Sequence, residues 1–314
     1  MRWIAILVSV MLAACSSSTT TSSFTSSENR ELGEQLSQSK QVGISPLEIP
    51  PLPWDMDSYL PTAPKSTPVA PTLLAVSPEM KAFVDSIDPS MSPRQRMYRI
   101  LYLLRLERFH LEYDLDTTAT AAEAFAQKRG NCISFAAMIV AFAREVGIPA
   151  HFNRVHAPQG RRATRSISGS VLVENILHIN AEVSLGWSSE IIEMNFAPQS
   201  RYRHERISDE EVQSLFLNNL ALNKARDGEQ HIAFNLLREA LGLTPKSSIV
   251  WNSIGYLYRR QGKLDLAEMS YTRAIYLDSK NNSAKNNLQR VYQLQNRLEL
   301  LQAAGSPQNS DQDS

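Results

Sequence analysis

Apolar residues recur along this chain with two different periods, and the change of period divides it. From Ser77 to Val146 the period is helical. Ser92-Pro93 reads as an N-cap followed by proline at the first helical position, with Ile100, Leu103, Leu104 and Leu106 as a buried stripe behind it. Thr120 and Glu123 have the spacing of a capping box, and Gly130 is placed to close that short helix in a left-handed C-cap. The next helix opens on Cys132 and runs through Phe135, Met138, Ile139, Val140 and Phe142 to Val146, where Gly147-Ile148-Pro149 stops it. It is apolar nearly all round, so it is expected to be central and buried. After Pro149 the period falls to two. Residues 150–155 alternate, and a loop rich in Arg and Gly follows, with Arg161, Arg162, Arg165 and Gly169. Leu177, Ile179, Ala181 and Val183 then take one face of a strand, and His178, Asn180 and Glu182 the other. Gly186-Trp187-Ser188-Ser189 turns the chain, and Ile192, Met194 and Phe196 alternate with Ile191, Glu193 and Asn195. Helices followed by an antiparallel sheet predict an α+β domain, bounded at 76–205.

From residue 206 the helical period returns with an internal repeat. A shift of 34 residues superposes Gly228 on Gly262, Ala233 on Ala267, Ala240 on Ala274 and Leu243 on Leu277. The second copy carries Trp251, Ile254, Gly255, Tyr258, Gly262, Ala267, Tyr271 and Ala274, and resembles the tetratricopeptide pattern of large, small and aromatic positions. Leu217, Leu220 and Ala221 belong to the first copy, and Leu288 and Tyr292 to a third, capping helix. This all-α module is expected over 206–302, with a disordered tail over 303–314. Two repeats and a cap fall below the usual three, so the module is expected to lean on the domain before it.

The N-terminal part differs again. Met1-Arg2 is a short positive segment, Trp3 to Leu12 is apolar, and Ala13-Ala14 puts small residues before Cys15. The apolar run is too short for a spanning helix and has the pattern of a secretory signal over 1–14. It resembles the lipobox of bacterial lipoproteins, which implies cleavage before Cys15, lipidation of its thiol and a membrane anchor made of acyl chains. Ser16 in the next position resembles outer-membrane sorting, with the protein facing the periplasm of the cell envelope. An ordinary signal cleaved after Ala14 is the competing reading. Residues 16–27 are Ser and Thr except for Phe24, and eight prolines fall between Pro46 and Pro71. That composition cannot bury enough apolar surface to fold, so 15–75 is expected to be a disordered tether. Pro50-Pro51-Leu52-Pro53-Trp54 is a candidate docking peptide within it, against a plain spacer.

Charge adds an exclusion. Lys and Arg total 32 and Asp and Glu total 32 in the 314 residues, which argues against nucleic acid as a partner bound through bulk charge. The Arg cluster 154, 161, 162, 165, 201, 203 and 206 is either a solvated loop and linker or a site for an acidic group.

There are two cysteines. With Cys15 lipidated, Cys132 is the one thiol left, which excludes an internal disulfide and a cysteine zinc cluster. No metal or organic cofactor is expected. Cys132 opens a helix, where unpaired backbone N–H groups and positive potential favour a thiolate and can hold an oxyanion. A buried structural cysteine is the alternative. Six histidines are candidates for its base. His231 falls on a repeat helix, His204 in a charged connector, and His110 at a helix C-terminus where a positive charge has a structural reason. His151 and His156 remain possible. His178 is preferred because it sits mid-strand on the polar face. Glu193 on the next strand has the parity to orient it, since paired strands lie about 5 Å apart. Asn195 is a second orienting candidate. Glu182 lies four residues along the same strand from His178, roughly 13 Å away.

The stretch Tyr113-Asp114, Thr120-Ala-Ala-Glu-Ala124, Gly130-Asn-Cys-Ile-Ser-Phe135 and Ala143-Arg-Glu-Val-Gly-Ile-Pro-Ala150 resembles the transglutaminase-like superfamily over about residues 77–200. The resemblance implies a papain-like α+β fold, with Cys132 as nucleophile and a histidine and an acid on the two following strands. His178 stands in the family's histidine place. Glu193 stands where the family usually has Asp, and Ile179-Asn180 where members often have an aromatic. Two functions follow as expectations. One is an envelope-anchored thiol acyl-transfer enzyme (protease, amidase or cross-linking), with an envelope protein or peptide docked at the repeat groove. The other is a catalytically inactive adaptor lipoprotein that scaffolds an envelope complex. A secreted binding protein with a structural cysteine is a third.

Overall fold

Three phenylalanines from three helices close the first part of the fold. In the computed structural model, Phe83, Phe125 and Phe142 meet with ring centroids 5.3–5.5 Å apart. The structure describes residues 60, 71–105, 111–165, 171–193 and 202–305. The signal-like segment, Cys15, the docking-peptide candidate, His110, Gly169, residues 194–201 and residues 306–314 lie outside them.

Helix α1 (Pro78–Asp85) begins behind Ser77, whose side chain accepts from the Met80 amide. Helix α2 (Pro93–Arg105) buries Met97, Ile100, Leu101 and Leu104. A short parallel pair, β1 (Glu112–Tyr113) and β2 (Arg129–Gly130), brackets α3 (Ala121–Gln127). The Thr120–Glu123 capping box is present. The C-cap differs from expectation: Lys128 takes the left-handed conformation at φ 53°, and Gly130 is not among the positive-φ residues. The reason for Gly130 is space, because a Cβ there would lie 2.7 Å from the Ser134 Cβ. Helix α4 (Cys132–Glu145) buries every residue from Cys132 to Ala143. It is the central helix that its composition predicts.

The sheet has four strands in the order β5-β4-β3-β6, all antiparallel. They are β3 (Ala150–Arg165), β4 (Val171–Ser184), β5 (Ser189–Ile192) and β6 (Arg203–Ile207). Two expectations are corrected here. The Arg/Gly-rich stretch 161–165 continues strand β3 past an irregularity between Val155 and Gly160 and is not a loop. The charged connector holding His204 is itself the edge strand β6. An Arg-His-Glu-Arg-Ile edge strand shows little apolar alternation, since its charges face water and its partner groups. Phe152, Ile179, Ala181, Val183 and Ile192 are buried in one core with the α4 side chains.

Five helices follow: α5 (Asp209–Arg226), α6 (Gln230–Leu243), α7 (Ser248–Arg260), α8 (Leu264–Leu277) and α9 (Asn282–Gly305). Repetition extends to single hydrogen bonds. Ser214 Oγ donates to Ala240 O at 2.9 Å, and 34 residues later Ser248 Oγ donates to Ala274 O at 2.8 Å. Gly228 and Gly262 supply the positive φ (89° and 74°) that each inter-helix turn requires. Gly255 admits the ring of Tyr271, whose atoms stand 2.7 Å from where a Cβ would be.

The helical part continues the core of the first part: Val212, Leu215 and Phe216 belong to the same buried cluster as Met80, Phe142 and Phe152. Polar contacts reinforce the junction. Arg144 pairs with Asp209 and Arg154 with Glu211, and the Gln213 amide bonds to Leu73 N at 2.9 Å and Pro71 O at 3.0 Å. Among the described residues no helix is long and apolar enough to cross a membrane.

Candidate functional site

The start of α4 is shaped by a run in which each residue has a separate task. Asn131 is the N-cap and accepts from the Ser134 amide at 3.1 Å. Its own side-chain amide donates to Thr118 Oγ1 at 3.0 Å, and its backbone N–H to Thr117 O at 3.0 Å. Ser134, fully buried, accepts from the Ala119 amide at 2.9 Å. The loop 114–119 is thereby tied to the first helical turn, which holds Cys132 at the helix N-terminus. With the amides of Asn131 and Ser134 engaged, those of Cys132 and Ile133 remain as the candidate oxyanion donors. Cys132 is 6% exposed, and its Sγ lies 3.6 Å from Leu177 O.

His178 lies on β4 in the polar row that alternates with Leu177, Ile179, Ala181 and Val183. Its Nε2 is 2.6 Å from Glu193 Oε2. Cys132 is the other side chain that acts on the ring. The hydrogen bond to Cys132 and then that to Glu193 push the His178 pKa up to about 10, against an opposing effect of burial.

Glu193, one residue past β5, is 4% exposed. Burial alone would raise its pKa. Hydrogen bonds from His178 and Asn180, with the positive charge of His178, outweigh that and hold the carboxyl below its ordinary value. Asn180 Nδ2 donates to Glu193 Oε1 at 2.6 Å and stands 3.2 Å from His204 Nδ1. The structure thus brings Cys132, His178 and Glu193 together and adds Asn180 and His204 behind the carboxylate. Sequence reasoning passed over both additions. Asn180 had a usable signal, being a polar residue two places from His178 on the same face. His204 had none, because its strand was not legible.

Glu182 and His156 are engaged elsewhere. Glu182 pairs with Arg206, whose hydrogen bond is the main reason its pKa falls to about 2. His156 bonds to Glu205 at 2.6 Å and Arg203 Nη2 at 2.9 Å. His151 stands opposite Glu182 in the β3–β4 register. His231 is an exposed residue of α6. Asn195 lies outside the described residues. Of the Arg cluster, Arg154, Arg203 and Arg206 are paired with carboxylates. Among the described residues no group of three or more His, Cys, Asp or Glu side chains is arranged to hold a metal ion.

Cys132 opens onto a cleft with about 910 Å³ of space, part of it continuous with solvent. One wall comes from the first part of the fold: Asp116, Thr118, Asn131, Cys132, Ile133 and Leu177. The facing wall comes from the repeat helices, including Asn218, Asn219, Asn223, Asn252 and Ser253.

Comparison with protein families agrees with this architecture. Residues 81–188 match the model of the transglutaminase-like superfamily, and residues 249–281 match that of a tetratricopeptide repeat. The two matches fall in the order of the α+β part and the helical part. A comparison of the whole chain with curated proteins finds no match.

Proposed function

We propose that this chain is a thiol acyl-transfer enzyme whose nucleophile is Cys132, whose base is His178 and whose orienting carboxylate is Glu193. The observation that carries the reading is the 2.6 Å contact between His178 Nε2 and Glu193 in a ring whose other partner is the helix-opening thiol. In the reaction, the Cys132 proton passes to His178 and the thiolate attacks an amide or ester carbonyl. The resulting oxyanion is held by the amides of Cys132 and Ile133. His178 returns the proton to the departing amine or alcohol, leaving a thioester on Cys132. Water or an amine then attacks the thioester as His178 takes its proton, and the thiol is regenerated on collapse. Glu193 keeps the charge of the imidazolium compensated and fixes which nitrogen faces the thiol.

The proposal includes an envelope setting. Cys15, behind Ala13-Ala14, carries the lipid, and the stretch to residue 75 tethers the enzyme to the outer membrane on its periplasmic side. The repeats bind a protein substrate or partner, as tetratricopeptide repeats generally do.

A second reading, an inactive adaptor, is favoured by one observation: the low exposure of Cys132 and its contact with Leu177 O. One experiment separates the two. The whole chain in detergent is treated with p-nitrophenyl acetate and the acylated residue is located by mass spectrometry. The enzyme reading expects acyl transfer to Cys132, lost in Cys132→Ser and reduced about 10²–10⁴-fold in His178→Ala. A native thiol that stays inert and is acylated only after unfolding removes the enzyme reading.

A further inference from the structure

Helix α2 has two unlike faces. The inward one carries Met97, Ile100, Leu101 and Leu104, all buried. At about 100° of rotation per residue, the opposite arc carries Arg94, Tyr98, Arg99, Tyr102 and Arg105, all exposed. The helix holds four arginines and no Asp or Glu. The fourth, Arg96, reaches inward to Val84 O at 3.3 Å. On the outward arc the Arg94 guanidinium stands 5.7 Å from the centre of the Tyr98 ring, and that of Arg99 5.2 Å from the Tyr102 ring. Among the described residues neither Arg94 nor Arg99 has a carboxylate partner.

The turn between β4 and β5 extends this face. Leu185 is buried and its N–H bonds to Ser188 O at 2.8 Å, which leaves Gly186, at φ 87°, and Trp187 as the apex. A Cβ on Gly186 would lie 3.7 Å from Arg94 Nη1, and Tyr98 Oη donates to Glu190 Oε1 of β5 at 2.7 Å. The turn is thus fastened beside the outward arc of α2. Glu190 is the carboxylate that these contacts bring to the face, and Tyr98 engages it. Trp187, at the tip, is fully exposed. A small polar residue serves at a turn apex, whereas an indole left in water forgoes the burial of about 150–250 Å² that an aromatic side chain otherwise gains.

We propose that the outward arc of α2 and the Trp187 tip form a docking surface for an anionic lipid bilayer. Tryptophan and tyrosine settle at the boundary of water and lipid, where the ring is taken up and the N–H or O–H stays hydrated. Guanidinium groups beside them match the lipid phosphates. A protein interface is built on an apolar core within a polar rim. Here each tyrosine is bordered by an arginine, and the exposed large aliphatic side chains among the described residues, Leu243 and Leu294, lie on the repeat helices. Trp187 enters the lipid boundary, Tyr98 and Tyr102 lie at the headgroups, and Arg94 and Arg99 pair with phosphate. A lipid at Cys15 bounds the distance of the chain from a membrane; this surface sets which way the chain faces. It depends on neither that lipid nor the acyl-transfer chemistry.

The test uses the whole chain on vesicles of phosphatidylcholine brominated in its acyl chains, with and without phosphatidylglycerol. Trp3, Trp54 and Trp251 are common to every variant, so the quenching lost in Trp187→Phe is that of Trp187. Quenching of Trp187 is expected on vesicles containing phosphatidylglycerol, and is expected to fall as salt is raised. Arg94→Gln and Arg99→Gln are each expected to lower the apparent affinity of this contact about fivefold. The midpoint of thermal unfolding is expected to be unchanged in all three variants, as for exposed residues elsewhere. Quenching that is the same in Trp187→Phe arises from the other tryptophans and overturns the inference. Quenching of Trp187 that is indifferent to phosphatidylglycerol, salt and the two arginines overturns it equally. A lowered unfolding midpoint in Trp187→Phe marks a packed side chain and also overturns it.

Discussion

Glu193 reaches His178 on the diagonal and not straight across the strand pair. The pairing of Ala181 with Ile192, carried one residue further, sets Glu193 opposite Asn180. From there its two oxygens divide, Oε1 to Asn180 and Oε2 to His178, each at 2.6 Å. Diagonal partners on an antiparallel pair are about 7–8 Å apart, within reach of a long side chain. The extra methylene of glutamate over aspartate spans that distance.

Glu193→Asp is therefore expected to behave as a defective acid despite its unchanged charge. It keeps one hydrogen bond and loses the other, and the acylation rate of Cys132 falls about tenfold, the equivalent of about 1.4 kcal/mol of transition-state stabilisation. Stopped-flow measurement with p-nitrophenyl acetate checks this. A rate equal to that of the unaltered protein contradicts the diagonal geometry.

His178 is expected to titrate far from the ordinary histidine range. Its protonated ring persists through neutral pH and is lost near pH 10, which nitrogen-15 shifts of the imidazole follow directly. Because the hydrogen bond to Cys132 is the largest cause, Cys132→Ala lowers the titration midpoint, and Glu193→Gln lowers it further. A midpoint near 6.5 in the unaltered protein refutes the pairing.

Stability follows from the same two shifts. A histidine raised from 6.5 contributes fully below 6.5 and loses its contribution as pH rises through about 10. A glutamate held below 4.5 contributes fully above 4.5 and loses its contribution as pH falls through its lowered value. The pair contributes most between pH 4.5 and 6.5. Urea unfolding of the unaltered chain against a His178→Ala, Glu193→Gln double variant is expected to show its largest difference in that window, shrinking on both sides.

Asn131→Ala removes the N-cap of α4 and the anchor to Thr118 in one step. Loss of the cap costs about 1 kcal/mol, within a usual range of roughly 0.5–2. The acylation rate of Cys132 falls as well, because the helix start is no longer tied to the loop 114–119. Asn131→Asp retains the cap acceptor and is expected to recover most of the stability, with the bond to Thr118 reversed so that its hydroxyl donates. Denaturant midpoints of the two variants separate the contributions.

Gly255→Ala places a methyl against the fully buried ring of Tyr271, which has no room to withdraw. A destabilisation of about 1–3 kcal/mol is expected from overpacking, measured by urea unfolding. Since the helical part shares its core with the α+β part, the loss is expected in a single transition followed equally by far-ultraviolet circular dichroism and by Cys132 accessibility. Two separated transitions contradict the shared core.

Much of this protein is local, and local features are written in the order of residues. The capping box at Thr120, the N-cap and thiol at Asn131-Cys132, the stop at Gly147-Ile148-Pro149 and the 34-residue shift each depend on neighbours within one or two helical turns. The two-residue alternation around His178 likewise assigns it to a polar face without any partner strand being known. Other features depend on which strands and helices come together. His204 meets Asn180 because a five-residue edge strand pairs with β3, and such a strand takes its hydrogen bonds and burial from its neighbour, with little apolar pattern of its own. Gly130 serves the close approach to Ser134, and the left-handed C-cap falls to Lys128. The sequence alone determined the helical and extended periods, the repeat and the candidacy of Cys132, His178 and Glu193, because periodicity and capping are short-range. Only the tertiary structure decided that Glu193 shares its oxygens between His178 and Asn180, and that the repeat asparagines face the thiol across one cleft. Those relationships join residues from 13 to more than 80 positions apart, and contacts over such separations are decided by the packing of whole elements.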